Sequence, residues 1–167
     1  MQREVGTTGP HDAADVLLFP PLILLLTLLA GLGLGRLIPL RWLVRIGPAW
    51  RRGAGGVAAV VGIGIAIAGG RALAVLGTNV NPSRPTLAIA RTGIFRRTRN
   101  PMYVGGGCAF AGLAVWLALD WVLLLMWPSL LVLHYGVVLR EERYLERKFG
   151  DEYRRYKASV PRYGRLF

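Results

Sequence analysis

Apolar residues are gathered into four long runs that polar segments separate. The runs cover residues 16–37, 57–76, 102–119 and 121–139. Each comes close to the length of about 17–25 residues that an α-helix needs to cross the hydrocarbon core of a bilayer. The pattern therefore predicts an all-α integral membrane protein with about four transmembrane helices.

The segments between these runs differ in length and character. The third and fourth runs meet at Asp120 with almost no loop, which predicts a tight hairpin of two helices. Residues 77–101 are polar and basic, and the tail from residue 140 onward is polar, basic and aromatic. We expect a single domain over residues 1–167, with two helices in residues 1–76 and a helical tail at the C-terminus.

Glycine is concentrated in the first two runs. Gly31 and Gly35 form a G-x-x-x-G pair, and the second run contains "GVAAVVGIGIAIAGG". Small residues let helices approach closely in lipid, so these faces predict helix packing and would allow a homodimer. A nucleotide-binding fingerprint also uses glycines, but it needs a strand–turn–helix setting that this sequence lacks.

The charge is strongly positive and unevenly distributed. The formal net charge is +12, although 53% of the residues are hydrophobic. Four spans put both termini and residues 77–101 on one side, which collects 15 Lys and Arg residues against five on the other. Because cations favour the cytoplasmic side, we expect both termini to be cytoplasmic. The cations border apolar runs, so we expect the membrane, and not nucleic acid, as partner.

Metal and disulfide chemistry find no support in the sequence. No group of His, Cys, Asp and Glu has the spacing of a metal site. The single cysteine, Cys108, lies in an apolar run and cannot form an internal disulfide.

Two polar motifs flank the predicted hairpin. "RRTRNPMYVGGG" leads into the third run, and "REERYLERKFGDEYRRYKASVPR" follows the fourth. Because a hairpin brings the start of its first helix beside the end of its second, these motifs should meet at one membrane surface. Arginines and a pair of glutamates would then line one opening, with lipid on either side.

The two motifs together resemble the isoprenylcysteine carboxyl methyltransferase family, its bacterial relatives and the related phospholipid methyltransferases. The resemblance covers about residues 77–163 and is specific as an ordered set, while each piece alone is weak. The matching positions are Gly93, Ile94, Phe95, Arg99, Asn100, Pro101, Tyr103, Gly105, Glu141, Glu142, Leu145, Phe149, Gly150, Tyr153, Tyr156, Val160 and Pro161.

This resemblance implies methyl transfer from S-adenosyl-L-methionine to a lipophilic acceptor at the cytoplasmic membrane face. Residues 77–167 would form the cofactor-binding and catalytic module, with Arg99 and Glu142 as the catalytic residues. Arg140 and His134 are candidates for contacting the substrate, although His134 is equally readable as a buried polar group. By resemblance, the cofactor would be bound by Leu87, Ala88, Ile89, Ala90, Phe95, Asn100, Pro101, Met102, Tyr103 and Glu141.

Two positions depart from the prenylcysteine pattern. Asn100 stands where those enzymes usually have His, and an amide cannot act as a general base. Val137 stands where they have an Arg that holds the substrate carboxylate. The acceptor group therefore stays open among a carboxylate, an amine, a phenol and a thiol. An NADPH-dependent membrane reductase related to sterol reductases and a non-enzymatic lipid-binding protein are the alternatives.

Overall fold

The computed structural model describes residues 13–78, 80–81 and 84–164. Four apolar helices form a bundle, and two shorter polar helices complete the chain. The helices are α1 (Pro20–Leu37), α2 (Pro48–Val75), α3 (Pro101–Trp116), α4 (Asp120–Leu133), α5 (Leu139–Phe149) and α6 (Asp151–Ser159). A π-helical turn, His134–Val138, joins α4 to α5, so that Asp120–Phe149 is one continuous rod.

Three helices in the described part of the chain are long and apolar enough to cross a membrane. They are Pro20–Leu37, Pro48–Val75 and Asp120–Phe149, and Pro101–Trp116 is a shorter apolar helix of 16 residues. Large apolar side chains on these helices face outward; Val60 and Trp127 are 69% and 74% exposed. The expected all-α integral membrane architecture is confirmed.

Several helix boundaries differ from the hydropathy pattern. The helix predicted for residues 57–76 begins at Pro48. Proline is tolerated in the first turn of a helix, because the backbone N–H that it lacks would have no partner within the helix there. The helix predicted for residues 102–119 ends at Trp116, where the chain turns and Ala118 adopts a positive φ of 56°. The helix predicted for residues 121–139 continues into the polar tail through the π-helical turn.

The helices of the bundle pack chiefly in two pairs, α2 with α3 and α1 with α4. A Cβ added at Gly62 would lie 2.4 Å from the backbone nitrogen of Ala109, and one at Gly105 would lie 2.6 Å from that of Ala66. In the other pair, a Cβ at Gly31 would lie 2.5 Å from the Val122 side chain. The predicted glycine faces thus pack within the chain, while the homodimer stays a prediction.

The predicted turn between α3 and α4 is present over residues 117–119, but these two helices contact each other less than they contact their partners. Polar contacts close the bundle at this end, which we call the turn end. The backbone N–H of Leu43 donates to Asp120 (2.9 Å), and Arg51 donates to the carbonyls of Val115 (3.1 Å) and Trp116. Arg51, one of the five cations on this side, thereby supplies donors to the last carbonyls of α3.

Candidate functional site

The site lies at the opposite end of the bundle, where α3 begins and α5 continues beyond α4. A cavity of about 450 Å³ opens here and extends between the helix pairs. Its walls combine the start of α3, the glutamate pair of α5, two tyrosines of α6 and the segment before α3. The two sequence motifs therefore meet at one cavity.

Glu142 is the centre of a buried ionic cluster. Its carboxylate accepts two hydrogen bonds of 2.8 Å from Nε and Nη2 of Arg162, and Nη2 of Arg99 lies 3.1 Å from Oε1. The side chains of Glu142 and Arg99 are only 6% and 7% exposed. The hydrogen bonds to Glu142 raise the pKa of Arg162 above its usual value. Two guanidinium groups thus surround the Glu142 carboxylate.

Arg162 belongs to a segment that we call the C-terminal strap, residues 160–164, which crosses the entrance to α3. The carbonyl of Pro161 accepts a hydrogen bond from the backbone N–H of Arg99 (3.0 Å). The carbonyl of Arg162 accepts from Thr98 Oγ1 (2.9 Å) and Asn100 Nδ2 (3.2 Å). The side-chain amide of Asn100 therefore donates to the C-terminal strap. This position, where the resemblance expects His, has a structural role here.

The guanidinium of Arg99 has N–H donors for which no described residue supplies an acceptor. Its Nε and Nη1 are buried and make no hydrogen bond within the described residues. Buried N–H groups of a guanidinium without partners are costly, by about 1–3 kcal/mol or more for each charged group left unsatisfied. Arg99 is also one of the residues that line the cavity, so an anion bound there would lie beside this guanidinium.

Glu141 provides the opposite charge in the same cavity. Its Oε2 accepts a hydrogen bond of 2.9 Å from the hydroxyl of Tyr103, one turn into α3. In the part of the chain described by the structure, no ion pair involves this carboxylate, in contrast to its neighbour Glu142. Glu141 is therefore suited to a ligand group that carries positive charge or hydroxyl donors.

The segment before α3 forms an apolar wall, and α6 supports it from behind. Ala88, Ile89, Ala90 and Phe95 line the cavity. Thr78 Oγ1 fixes this segment by accepting from the backbone N–H of Ala88 (3.1 Å).

Two tyrosines of α6 also line the cavity. Tyr153 and Tyr156 form a small core with Val160, against which Ile89 packs. The Tyr156 hydroxyl donates to the carbonyl of Phe95 (2.8 Å), and burial raises the pKa of Tyr156 to about 12. This hydroxyl is therefore a fixed donor at neutral pH.

Most of the residues predicted from the sequence meet in this cavity, and three do not. Leu87 is 60% exposed and lies outside the cavity lining. His134 lies at the π-helical turn with its Nδ1 2.5 Å from the Tyr163 hydroxyl, and Arg140 pairs with Asp15 at 3.6 Å. The predicted residues that line the cavity are Arg99, Glu142, Ala88, Ile89, Ala90, Phe95, Asn100, Pro101, Met102, Tyr103 and Glu141.

Sequence reasoning missed two parts of the site. Arg162 follows the recognised Val-Pro step directly, but nothing in the linear sequence says that it turns back to Glu142. The second part is an apolar arm of the cavity, defined by Ile23, Thr27, Gly106, Gly107, Phe110, Met126, Ser129 and Leu130. Helical spacing on three separate helices, read together, is the signal that would have indicated it.

Comparison with known proteins identifies a family. A family model described as phospholipid methyltransferase matches residues 50–152, from the first turn of α2 to the start of α6. An uncharacterized protein of Haemophilus influenzae is 59% identical over 34 residues, a match that covers 20% of this chain and 54% of that protein. The chain thus spans about half the length of this relative. No solved structure matches the chain.

Proposed function

Because the chain belongs to the phospholipid methyltransferase family, we propose that it transfers a methyl group from S-adenosyl-L-methionine to a lipophilic acceptor. The reaction takes place at the polar end of the cavity, at the surface of the membrane. We assign this end to the cytoplasmic side, because 13 of the Lys and Arg residues that the structure describes lie in residues 84–99 and 140–162 on that side of the bundle.

The residues present fit the cofactor group by group. Arg99 offers two unpartnered N–H donors to a carboxylate, and Glu141 offers a carboxylate to an ammonium group or to the ribose hydroxyls. Ala88, Ile89, Ala90 and Phe95 offer an apolar surface to the adenine ring. When bound, the cofactor supplies an electrophilic methyl group on a sulfonium centre.

The single observation that carries the proposal is the state of Arg99. The side chain of Arg99 is 7% exposed, belongs to the cavity wall and keeps Nε and Nη1 without partners in the described chain. Unsatisfied buried groups are rare, and Nε of Arg51 at the turn end is the other guanidinium atom of this kind among the described residues. Only Arg99 combines such donors with a place in the cavity wall, which supports an anionic ligand group beside it.

The protein contributes alignment and a dry environment to the reaction. In-line transfer of a methyl group depends on holding the acceptor atom close to the carbon in the correct direction, and on removing water from the acceptor. Glu142 and the C-terminal strap fix Arg99, and Tyr103 fixes Glu141. Burial of these groups strengthens every electrostatic contact in the cavity.

The chemistry of the acceptor decides whether a base is needed. A carboxylate or thiolate acceptor needs none, whereas a protonated amine or a phenol must lose a proton. Both carboxylate oxygens of Glu142 accept hydrogen bonds from Arg162, so Glu142 is not placed to take this proton. Glu141 is assigned to the cofactor, so the described cavity wall has no further carboxylate to act as a base, which favours an acceptor that reacts as an anion.

The experiment measures binding of S-adenosylhomocysteine to detergent-purified protein by calorimetry, with NADPH as the comparison ligand. We expect micromolar binding of S-adenosylhomocysteine only, and loss of it in Glu141→Gln. Glu146→Gln is the matched control, because Glu146 lies on the same helix, outside the cavity, where it pairs with Lys157. Transfer of a labelled methyl group into a total lipid extract then identifies the product by mass. Absence of both binding heat and labelled product refutes the proposal.

A further inference from the structure

Three helix faces converge on the apolar arm of the cavity. On α3 the face is Tyr103, Gly106, Gly107 and Phe110, at positions i, i+3, i+4 and i+7. The corresponding faces of α1 and α4 carry spacings of the same kind, for example Met126, Ser129, Leu130 and Leu133 on α4. Residues with this spacing share one side of a helix, so the arm runs along the helix axes into the bundle.

The glycines of α3 fall into two groups. Gly105 and Gly112 are required by packing, since a Cβ at either would lie within 2.6 Å of the α2 backbone. Gly106 and Gly107 have a different environment, because a Cβ at either would meet nothing within 4 Å. Helix packing therefore explains the first group and leaves the second unexplained. Both members of the second group line the cavity, and their missing side chains are what keep the arm open.

Among the described residues, the far part of the arm has no free hydrogen-bond donor for a ligand. Thr27 and Ser129 are its hydroxyl residues, and their oxygens lie 2.5 Å apart. Each hydroxyl also lies within hydrogen-bond distance of a carbonyl of its own helix, at 2.7 Å from Ile23 for Thr27 and at 2.8 Å from Leu125 for Ser129. Two hydroxyl protons serve these three contacts, so both are used within the bundle. What remains along the arm is hydrocarbon surface from Phe110, Met126 and Leu130.

The dimensions of the arm suit one hydrocarbon chain. Seven residues separate Tyr103 from Phe110, which at 1.5 Å per residue makes the arm about 10 Å deep below the polar end. The entire cavity measures about 450 Å³, so the part that is left beside a cofactor at the polar end is small. Since the polar end is reserved for the cofactor, two chains side by side have no room.

We infer that the apolar arm holds a single hydrocarbon chain of the methyl acceptor and that Gly106 and Gly107 set the length of chain that it accepts. This inference rests on the proposed function for the identity of the polar end, where the unpartnered donors of Arg99 already indicate a ligand. The acceptor is then an amphiphile whose nucleophilic group lies beside Tyr103 and Glu141, with its chain directed toward Phe110. A side chain at position 106 or 107 would shorten the accessible chain.

The test uses octanoic, dodecanoic and hexadecanoic acids that carry a diazirine at the chain end, photolysed with the detergent-purified full chain. Mass spectrometry maps the labelled residues. We expect the labelling of Phe110 and Met126 to depend on chain length and to be strongest for a chain that matches the arm. In Gly107→Leu this labelling should fall about tenfold, because the larger side chain raises the free energy of the bound state by an amount near the low end of the usual range for overpacking. The chain length that gives the strongest labelling should also become shorter.

Gly64→Leu is the matched control, because Gly64 is also a helical glycine with nothing within 4 Å, but it lies on α2 outside the cavity. Melting temperature and gel-filtration profile report folding, and Gly107→Ala replaces Gly107→Leu if the latter misfolds. Labelling independent of chain length, or an equal loss in Gly64→Leu, overturns the inference. S-adenosylhomocysteine binding is measured on each variant. If the protein binds the cofactor product but the arm is not labelled, this inference is wrong and the proposed function stands. If the arm is labelled but the cofactor product does not bind, the proposed function is wrong and a chain site in the arm stands.

Discussion

Replacing Arg162 by alanine is the most direct test of how the C-terminal strap supports the site. The substitution removes the two hydrogen bonds of 2.8 Å to Glu142. It leaves the other strap contacts in place, because Thr98 and Asn100 donate to the backbone carbonyl of residue 162 and not to its side chain. The effect is therefore confined to the guanidinium group.

The expected magnitude follows from the burial of the carboxylate. Hydrogen bonds to charged groups contribute about 1.5–3 kcal/mol. Glu142 keeps Arg99 as a partner, so its carboxylate is not left unpaired. The free energy of unfolding should therefore fall by about 2 kcal/mol, near the low end of that range. For a chain of this length that corresponds to a fall in melting temperature of about 4–8 °C. Glu142 should then draw Arg99 away from the cavity and weaken S-adenosylhomocysteine binding about tenfold.

Thermal unfolding in detergent and calorimetry with S-adenosylhomocysteine measure the two effects. Arg162→Lys should give an intermediate result, because an ammonium keeps the charge but cannot form the bidentate pair. Arg154→Ala is the control, since Arg154 is exposed and, among the described residues, forms its ion pair with Asp151 three residues away. If Arg162→Ala behaves like Arg154→Ala in both assays, the strap is not part of the site.

Four further outcomes are expected. Tyr103→Phe should weaken S-adenosylhomocysteine binding several-fold in calorimetry, because a carboxylate of the site loses a hydrogen bond worth about 1 kcal/mol. Gly62→Ala should lower the melting temperature through overpacking of about 1–3 kcal/mol, whereas Gly64→Ala should not. Burial raises the pKa of Tyr156 from 10.0 to about 12, so in urea titrations the wild type loses stability from pH 10 to 12, where the unfolded chain ionises first. Tyr156→Phe should lose less over this range, while Tyr153 and Tyr163, whose pKa values burial also raises, keep their share of the loss. Arg99→Met should abolish binding without lowering the melting temperature of the ligand-free protein.

For the first three variants, the following results would contradict the reasoning. Unchanged affinity in Tyr103→Phe would mean that Glu141 does not contact the ligand. Equal melting temperatures for Gly62→Ala and Gly64→Ala would contradict the close approach of α2 and α3. A Tyr156→Phe variant with the alkaline profile of the wild type would assign that loss to other groups.

Helix identity was predictable from hydropathy, and helix ends were not. The apolar runs identify the four bundle helices because lipid-facing and packed positions are both apolar in this fold. The start of α2 at Pro48 escapes that signal, because Arg51 and Arg52 are helical but polar. The π-helical turn is not predictable either, because Gly136 lies in it but a single glycine in an apolar run does not indicate a π-helix, and the rod continues to Phe149.

The sequence predicts that the two motifs meet, but the hairpin of α3 and α4 explains only part of that meeting. A tight turn between α3 and α4 does bring Arg99 toward Glu142. The helices on either side of that turn pack mainly on α2 and α1 instead of on each other, which is what leaves space for the apolar arm. Pairing of helices depends on which small residues face each other in three dimensions, as with Gly62 and Gly105, and spacing along one helix does not contain that information.

The expectation for Arg99→Met follows from how charge is balanced in the buried cluster. Glu142 carries one negative charge and is shared between Arg99 and Arg162, so removing Arg99 leaves a balanced pair with Arg162. Methionine also removes two buried N–H groups that have no partner in the described chain, each costing about 1–3 kcal/mol. Loss of one ion-pair contact and relief of this cost oppose each other, so stability is retained while binding is lost. A large fall in melting temperature would instead make Arg99 a structural residue and remove the main support for an anion-binding role.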